Sequence, residues 1–284
     1  MRILVTGAAG MSGAAVCRAL RGGHEVIAKG RAEVDVTDAA ALWSCLERDR
    51  PDWVVHLAAL TDVDRCQREP ERAMAVNTTP VQTIASWCAE NRGGLLLLSS
   101  IAVFDGRKAS PYTEADAPSP ANVYGESKWR AERIAAGVPR HLVVRTGWLF
   151  AGDASDRKFV GRILDLARER DSLDVVSDRF GSPTWVESLA AGIRRLLEEQ
   201  TRGLVHLVNE GGPASRVDLA REVVALVGLA TRIRPVTSDT FPQLAPRPAM
   251  EAARSERTQG WLPPWREALK DCLARRLGHD GKAR

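Results

Sequence analysis

The sequence predicts an α/β protein: a doubly wound parallel sheet in the first half, then a smaller C-terminal domain. Three observations predict it. Short apolar runs recur at 2–6, 25–28, 53–57, 94–99 and 141–145, and read as buried parallel strands. Segments with helical spacing fall between them, at 12–21, 38–48, 71–91 and 122–137. This βαβα alternation is what a parallel sheet with crossover helices requires. Finally, the first strand runs into glycines at 7, 10 and 13 just before the first helix.

That opening segment is the most readable for chemistry. Gly7 permits a tight turn, Gly10 lets backbone approach a pyrophosphate, and Gly13 lets helix and strand pack closely. The helix N-terminus then faces the phosphates. The spacing is G-xx-G-xx-G, so an ordinary glycine turn is the bland alternative. The strand–turn–helix context favours a dinucleotide and a Rossmann-type fold. Thr37 and Asp38 are the expected caps of the second helix. The fourth strand ends in Ser99 and Ser100, at the sheet edge where doubly wound folds bind ligands. Residues 105–121, with Pro111, Pro118 and Pro120, read as a long loop over that edge. Tyr124 and Lys128 follow, four apart and so on one face of a helix. An ammonium beside a phenol favours the phenolate and lowers its pKa. Such a pair can protonate a carbonyl oxygen, although Tyr-xxx-Lys also arises by chance.

After Trp148 the texture changes. Asp153–Asp156 reads as a loop, Phe159–Arg170 as a helix and Leu173–Ser177 as a strand. Val186–Glu199 is an amphipathic helix, Leu204–Val208 a strand and Val217–Val227 a helix. A last strand is expected at 231–237 and a last helix at Trp265–Leu277, with Arg275, Arg276 and the tail to Arg284 as a solvated end. The expected division is a dinucleotide-binding domain at 1–147, with 181–209 returning to its sheet. A substrate-binding domain then takes 148–180 and 210–284.

Hydrophobic residues are 44% of the 284, enough for a substantial core. No apolar run is long enough to span a membrane, and the motif strand leaves no room for a signal peptide. The net charge of +4 suits a small anionic ligand. No basic stripe interleaved with aromatics suggests nucleic acid. The five cysteines lack metal or redox spacing. They read as reduced thiols in a cytoplasm. No metal site is expected. His56, at a strand end, reads as structural.

Together these segments resemble an extended short-chain dehydrogenase/reductase, and more closely the dTDP-4-dehydrorhamnose reductase family. The resemblance runs nearly the whole chain. It is carried by Thr6–Gly13, Asp35–Asp38, His56–Asp64, Val103–Gly106, Pro111–Glu114, Asn122–Gly125 with Lys128, Arg145–Trp148, Asp178–Thr184 and Arg247-Pro248. It implies Tyr124 as proton donor, Lys128 as the residue that orients the ribose and tunes the tyrosine, and Ser100 in place of a threonine. It implies Gly10, Met11 and Ser12 at the pyrophosphate, Asp35 and Val36 at the adenine, and Leu57, Ala58 and Ala59 on the ribose side. Val63 and Trp148 would contact a sugar. Where the family usually has Asp-Tyr, this chain has Ile101 and Ala102, which removes polar contacts beside that sugar. Gly30 stands where an acid commonly follows the second strand, with Lys29 and Arg31 beside it. Basic residues without the acid favour a 2′-phosphate, hence NADPH, with NADH the alternative. Arg179 and Arg247 are candidates for bidentate contacts to nucleotide phosphates.

The resemblance implies an NADPH-dependent reductase of the 4-keto group of a nucleotide-activated 6-deoxyhexose, with a homodimer among the family's assemblies. Two rivals stay open. A nucleotide-sugar epimerase or dehydratase on the same scaffold would hold NAD tightly, but Ile101 and Ala102 are apolar where it needs acid/base groups. A non-catalytic cofactor-binding subunit would resemble the family's regulatory partner of methionine adenosyltransferase.

Overall fold

The computed structural model describes residues 1–151 and 156–280, with side chains as far as Arg276. Strand β1 (Arg2–Thr6) leads into α1 (Met11–Arg21), then β2 (Glu25–Lys29), α2 (Ala39–Asp49) and β3 (Trp53–His56). Three helices follow, α3 (Val63–Arg68), α4 (Pro70–Asn77) and α5 (Thr79–Asn91), then β4 (Gly94–Ser100), α6 (Val123–Ala135) and β5 (His141–Thr146). The second half holds β6 (Leu149–Phe150), α7 (Phe159–Glu169), β7 (Ser172–Val176), β8 (Phe180–Gly181) and β9 (Thr184–Trp185). It continues with α8 (Val186–Glu198), β10 (Gly203–His206), β11 (Ala214–Ser215), α9 (Arg216–Val227), β12 (Arg232–Val236), β13 (Met250–Glu251) and α10 (Trp265–Asp280).

Six strands form one parallel sheet in the order β10-β5-β4-β3-β1-β2. The chain leaves β1 for one side and later returns to the other, so a crevice opens beyond the carboxyl ends of β1 and β3. Strand pleating sends successive side chains to opposite faces. Ile3 and Val5 pack into the cluster that contains α1 and α8, through Leu20, Leu189 and Ile193. Leu4 between them packs with Leu46 of α2, Ile84 of α5 and Ala131 of α6. All nine of these residues are fully buried, each large one worth about 1.5–3 kcal/mol against exposure. The second half adds three smaller sheets, β11-β8-β13, β12-β7 and β6-β9.

Several expected boundaries change. The helix expected at 71–91 is two, α4 and α5, because Pro80 sits in the first turn of α5 and Thr78 caps between them. Helix α3 was not expected; Asp62 caps it by accepting the Arg65 backbone N–H at 2.9 Å. Asp38 caps α2 as expected, accepting from the Ala41 N–H at 2.9 Å. The end expected to be solvated is so at Arg275, which is exposed, but not at Arg276. Arg275 lies over the Trp185 ring at 4.6 Å, and Arg276, side chain 10% exposed, pairs with Asp165 at 3.1 Å. Of the loop expected at Asp153–Asp156, residues 153–155 lie outside the described residues, as do 281–284. Asp156 itself is buried and accepts from the Ala151 and Lys158 backbone N–H groups.

Candidate active site

A cavity of about 470 Å³ lies over the carboxyl ends of β1, β3 and β4. Its floor is the glycine turn. Gly7 has φ +69°, and a Cβ there would stand 2.7 Å from the Ala58 nitrogen. A Cβ at Gly13 would stand 2.1 Å from the Gly7 oxygen. Both sites therefore admit only glycine. Gly10 is the N-cap of α1, with no side chain capping the helix and no acid in its first turn. Its early N–H groups, at Met11, Ser12 and Gly13, face the cavity, a cradle suited to a pyrophosphate. Leu57, Ala59 and Val63 line the same space, and Ala58 supports Gly7 from below.

Helix α6 carries Tyr124 and Lys128 to this cavity. Asn122 caps it, accepting from the Gly125 N–H at 2.9 Å and donating to the Pro246 carbonyl at 2.9 Å. A Cβ at Gly125 would stand 2.1 Å from the Ala102 oxygen, so glycine there lets α6 seat against the turn Ile101–Val103. The seating brings Tyr124 to the same cavity wall as the Ser100 hydroxyl, while Ser100 Oγ accepts from the Ala102 N–H at 3.1 Å. Asn77 donates to Ser127 Oγ at 2.9 Å and Thr78 to the Ser127 carbonyl at 2.8 Å, locking the helix. Ile101 and Ala102 are buried and line the cavity.

The electrostatics differ from expectation. Burial pushes the Tyr124 phenol up to about 12; the Ser100 hydroxyl opposes this, and the Glu251 carboxylate adds to it. Lys128 was expected to lower Tyr124. Its own value is instead pushed down to about 8 by burial, with Glu132 partly holding it up. The lysine's charge is felt by His56, which burial and Lys128 together lower to about 3. His56 is therefore neutral and joined to Thr6 Oγ1 at 2.8 Å. Glu132 is itself clamped by Arg145 through two bonds of 2.9 and 2.7 Å and by the Ser99 hydroxyl. The buried Lys128 thus sits one turn from a carboxylate whose position is fixed.

A second cavity of about 440 Å³ adjoins the first. Arg179 lines only the outer one, while Trp148, Arg216, Arg247 and Glu251 line both and form the seam. Trp148 has φ +43°, uncommon for a non-glycine residue. Its ring packs on Gly181, where a Cβ would stand 2.1 Å away, and its Nε1 donates to Glu251 at 3.1 Å.

The family model described as RmlD substrate binding domain matches residues 1–277. The chain belongs to the dTDP-4-dehydrorhamnose reductase family. It is 38% identical over 287 residues to the dTDP-4-dehydrorhamnose reductase of Mycolicibacterium smegmatis, covering 98% of this chain and 86% of that relative. The crystal structure of a dTDP-4-dehydrorhamnose reductase from Clostridium acetobutylicum superposes with a TM-score of 0.92 at 30% identity, over 97% of this chain and 99% of that one. The Bacillus anthracis dTDP-4-dehydrorhamnose reductase, solved in complex with NADP, gives 0.90 at 27% identity, over 96% and 99%.

Some residues expected at the site of this dTDP-4-dehydrorhamnose reductase family member are elsewhere. Lys29 is turned to α2, where its Nζ pairs with Asp49 at 2.9 Å, and it does not line the cavity. Arg31 and Asp35 are exposed, with Asp35 held by Thr37, and neither they nor Val36 line the cavity. An acid does approach Gly30 from three residues on: Glu33, exposed and outside the cavity lining, accepts the Gly30 N–H at 2.7 Å. A short loop folds it back, which residue-by-residue alignment of the strand end does not reveal. Arg216 and Glu251 were also missed, because neither carries a local motif. The capping box of α9, Ser215 with Asp218, was the one signal near Arg216. Among the described residues no three His, Cys, Asp or Glu side chains gather as a metal site, and no helix is long and apolar enough to cross a membrane.

Proposed function

We propose that this protein is an NADPH-dependent reductase of the 4-keto group of a dTDP-activated 6-deoxyhexose. One observation carries the reading: a half-buried phenol, with the Ser100 hydroxyl lining the wall beside it, opens into the same cavity as the glycine cradle. The cradle's open N–H groups fit a dinucleotide pyrophosphate, and the nicotinamide supplies hydride when bound. Tyr124 donates its proton to the substrate oxygen as negative charge develops there. Ser100, beside the phenol, offers a second hydrogen bond to that oxygen. Lys128 lies one turn below, ready to contact a ribose. Val63, Ile101 and Trp148 form the sugar's walls, and Arg179 and Arg247 flank the nucleotide phosphates.

NADP bound to the Bacillus anthracis relative supports NADPH. With Lys29 paired to Asp49, Arg31 is an exposed cation available to a 2′-phosphate, and NADH should be accepted as well. Five buried thiols suit a cytoplasmic location, and the reading includes a homodimer, which the mass in solution would check. The test is to mix protein, NADPH and dTDP-4-keto-6-deoxy-L-mannose and follow nicotinamide absorbance. Oxidation with dTDP-rhamnose as product supports the reading. NADPH binding without oxidation would reject this sugar.

A further inference from the structure

The seam between the two cavities contains a cation that, among the described residues, rests on aromatic rings and not against a carboxylate. Arg216 is the first residue of α9, and the capping box beneath it fixes its backbone. Its guanidinium lies 3.5 Å from the centre of the Trp148 ring and 4.7 Å from that of Phe159. Trp148 is itself immobilised by Gly181 and by its bond to Glu251. Burial lowers Arg216 to about 10, with Glu251 opposing and Arg247 adding to the effect. Among the described residues no carboxylate lies within ion-pair distance of it.

The neighbouring arginines are occupied. Arg247 pairs with Asp64 at 3.1 Å and donates to the Ala245 carbonyl at 3.0 Å. Arg179 pairs with Asp178 at 3.4 Å and donates to its carbonyl at 3.0 Å. A half-buried guanidinium held on aromatic rings, with no carboxylate in ion-pair distance among the described residues, leaves its N–H fork free to meet an anion that enters the cavities. The location says which anion. A nucleotide sugar whose keto group reaches Tyr124 fills the inner cavity with its sugar and the outer cavity with its nucleoside. Its linker, a diphosphate, then crosses the seam.

We propose that Arg216, stacked on Trp148, grips the diphosphate of the nucleotide-sugar substrate and so sets the depth at which the sugar enters. This rests on the nucleotide-sugar reading above. The planar fork suits two phosphate oxygens at once, and the rings hold it open for them.

The experiment is calorimetric binding of dTDP, thymidine and NADPH to the purified protein and to Arg216→Gln and Arg216→Lys. The expected result is a loss of at least about tenfold in dTDP affinity for Arg216→Gln. Partial recovery is expected in Arg216→Lys, with thymidine and NADPH affinities unchanged. If Arg216→Gln binds dTDP as the wild type does, the proposal is overturned while the nucleotide-sugar reading stands. If the wild type does not bind dTDP, that reading fails and takes the proposal with it. Should Arg216→Gln lose NADPH binding too, Arg216→Lys decides. Weakened dTDP with intact NADPH supports the proposal, and unchanged dTDP overturns it.

Discussion

Tyr124 is a half-buried weak acid in the cavity wall, and that suits the role proposed for it. Burial keeps the phenol protonated, so it is ready to donate whenever a substrate oxygen becomes an alkoxide, a much stronger base. Tyr124→Phe should therefore lower kcat about 10²–10⁴-fold, with NADPH affinity nearly unchanged in a fluorescence titration. Wild-type turnover would remove Tyr124 from the mechanism. Glu33 makes a second prediction. Its carboxylate on the Gly30 N–H repels a 2′-phosphate and favours a free ribose hydroxyl. Because Glu33 is exposed, the effect is modest. Glu33→Gln should raise the NADPH-to-NADH ratio of kcat/KM about threefold, and an unchanged ratio would place the carboxylate outside the cofactor contact. Tyr124, Lys128 and Ser100 were legible because spacing and strand-end position are local properties. Lys29 was misread because its partner, Asp49, is 20 residues away in sequence, by subtraction of the two numbers. Arg216 and Glu251 were invisible for the same reason: only the fold brings them to Trp148.

At the scale of elements, α6 holds a conflict between stability and chemistry. Lys128 is buried and pushed from 10.5 down to about 8, which corresponds to on the order of 3 kcal/mol against folding at neutral pH. Between about pH 8 and 10.5 the unfolded chain keeps a proton that the folded chain has released. This one group therefore makes stability rise with pH across that window. Lys128→Met should raise the unfolding midpoint at pH 7, flatten that rise and abolish turnover. A lower midpoint, measured by thermal melts of the protein alone, would contradict it. The main strands and helices were readable because each spans several periods of its pattern. β8, β11 and β13 were not, since two residues carry no period. The break between α4 and α5 had a visible sign in Pro80, yet a proline in a helix's first turn also fits a continuing apolar pattern.

Across the whole molecule, the alternation of β1 side chains between two cores fixes the sheet, and the sheet's carboxyl edge fixes the crevice. The glycine turn, Ser100 and Tyr124 come from residues 7 to 124, while Trp148, Arg216, Arg247 and Glu251 close the other side. That division makes the account's central claim a transfer between two bound molecules, with net reduction of the sugar. The most direct measurement uses NADPH deuterated at its transferable position, with dTDP-4-keto-6-deoxy-L-mannose, and reads the product by NMR. The account predicts one deuterium at C4 of the sugar for each NADPH consumed. Product without deuterium, or a sugar isomerised without loss of NADPH, would contradict it and favour an epimerase on the same scaffold.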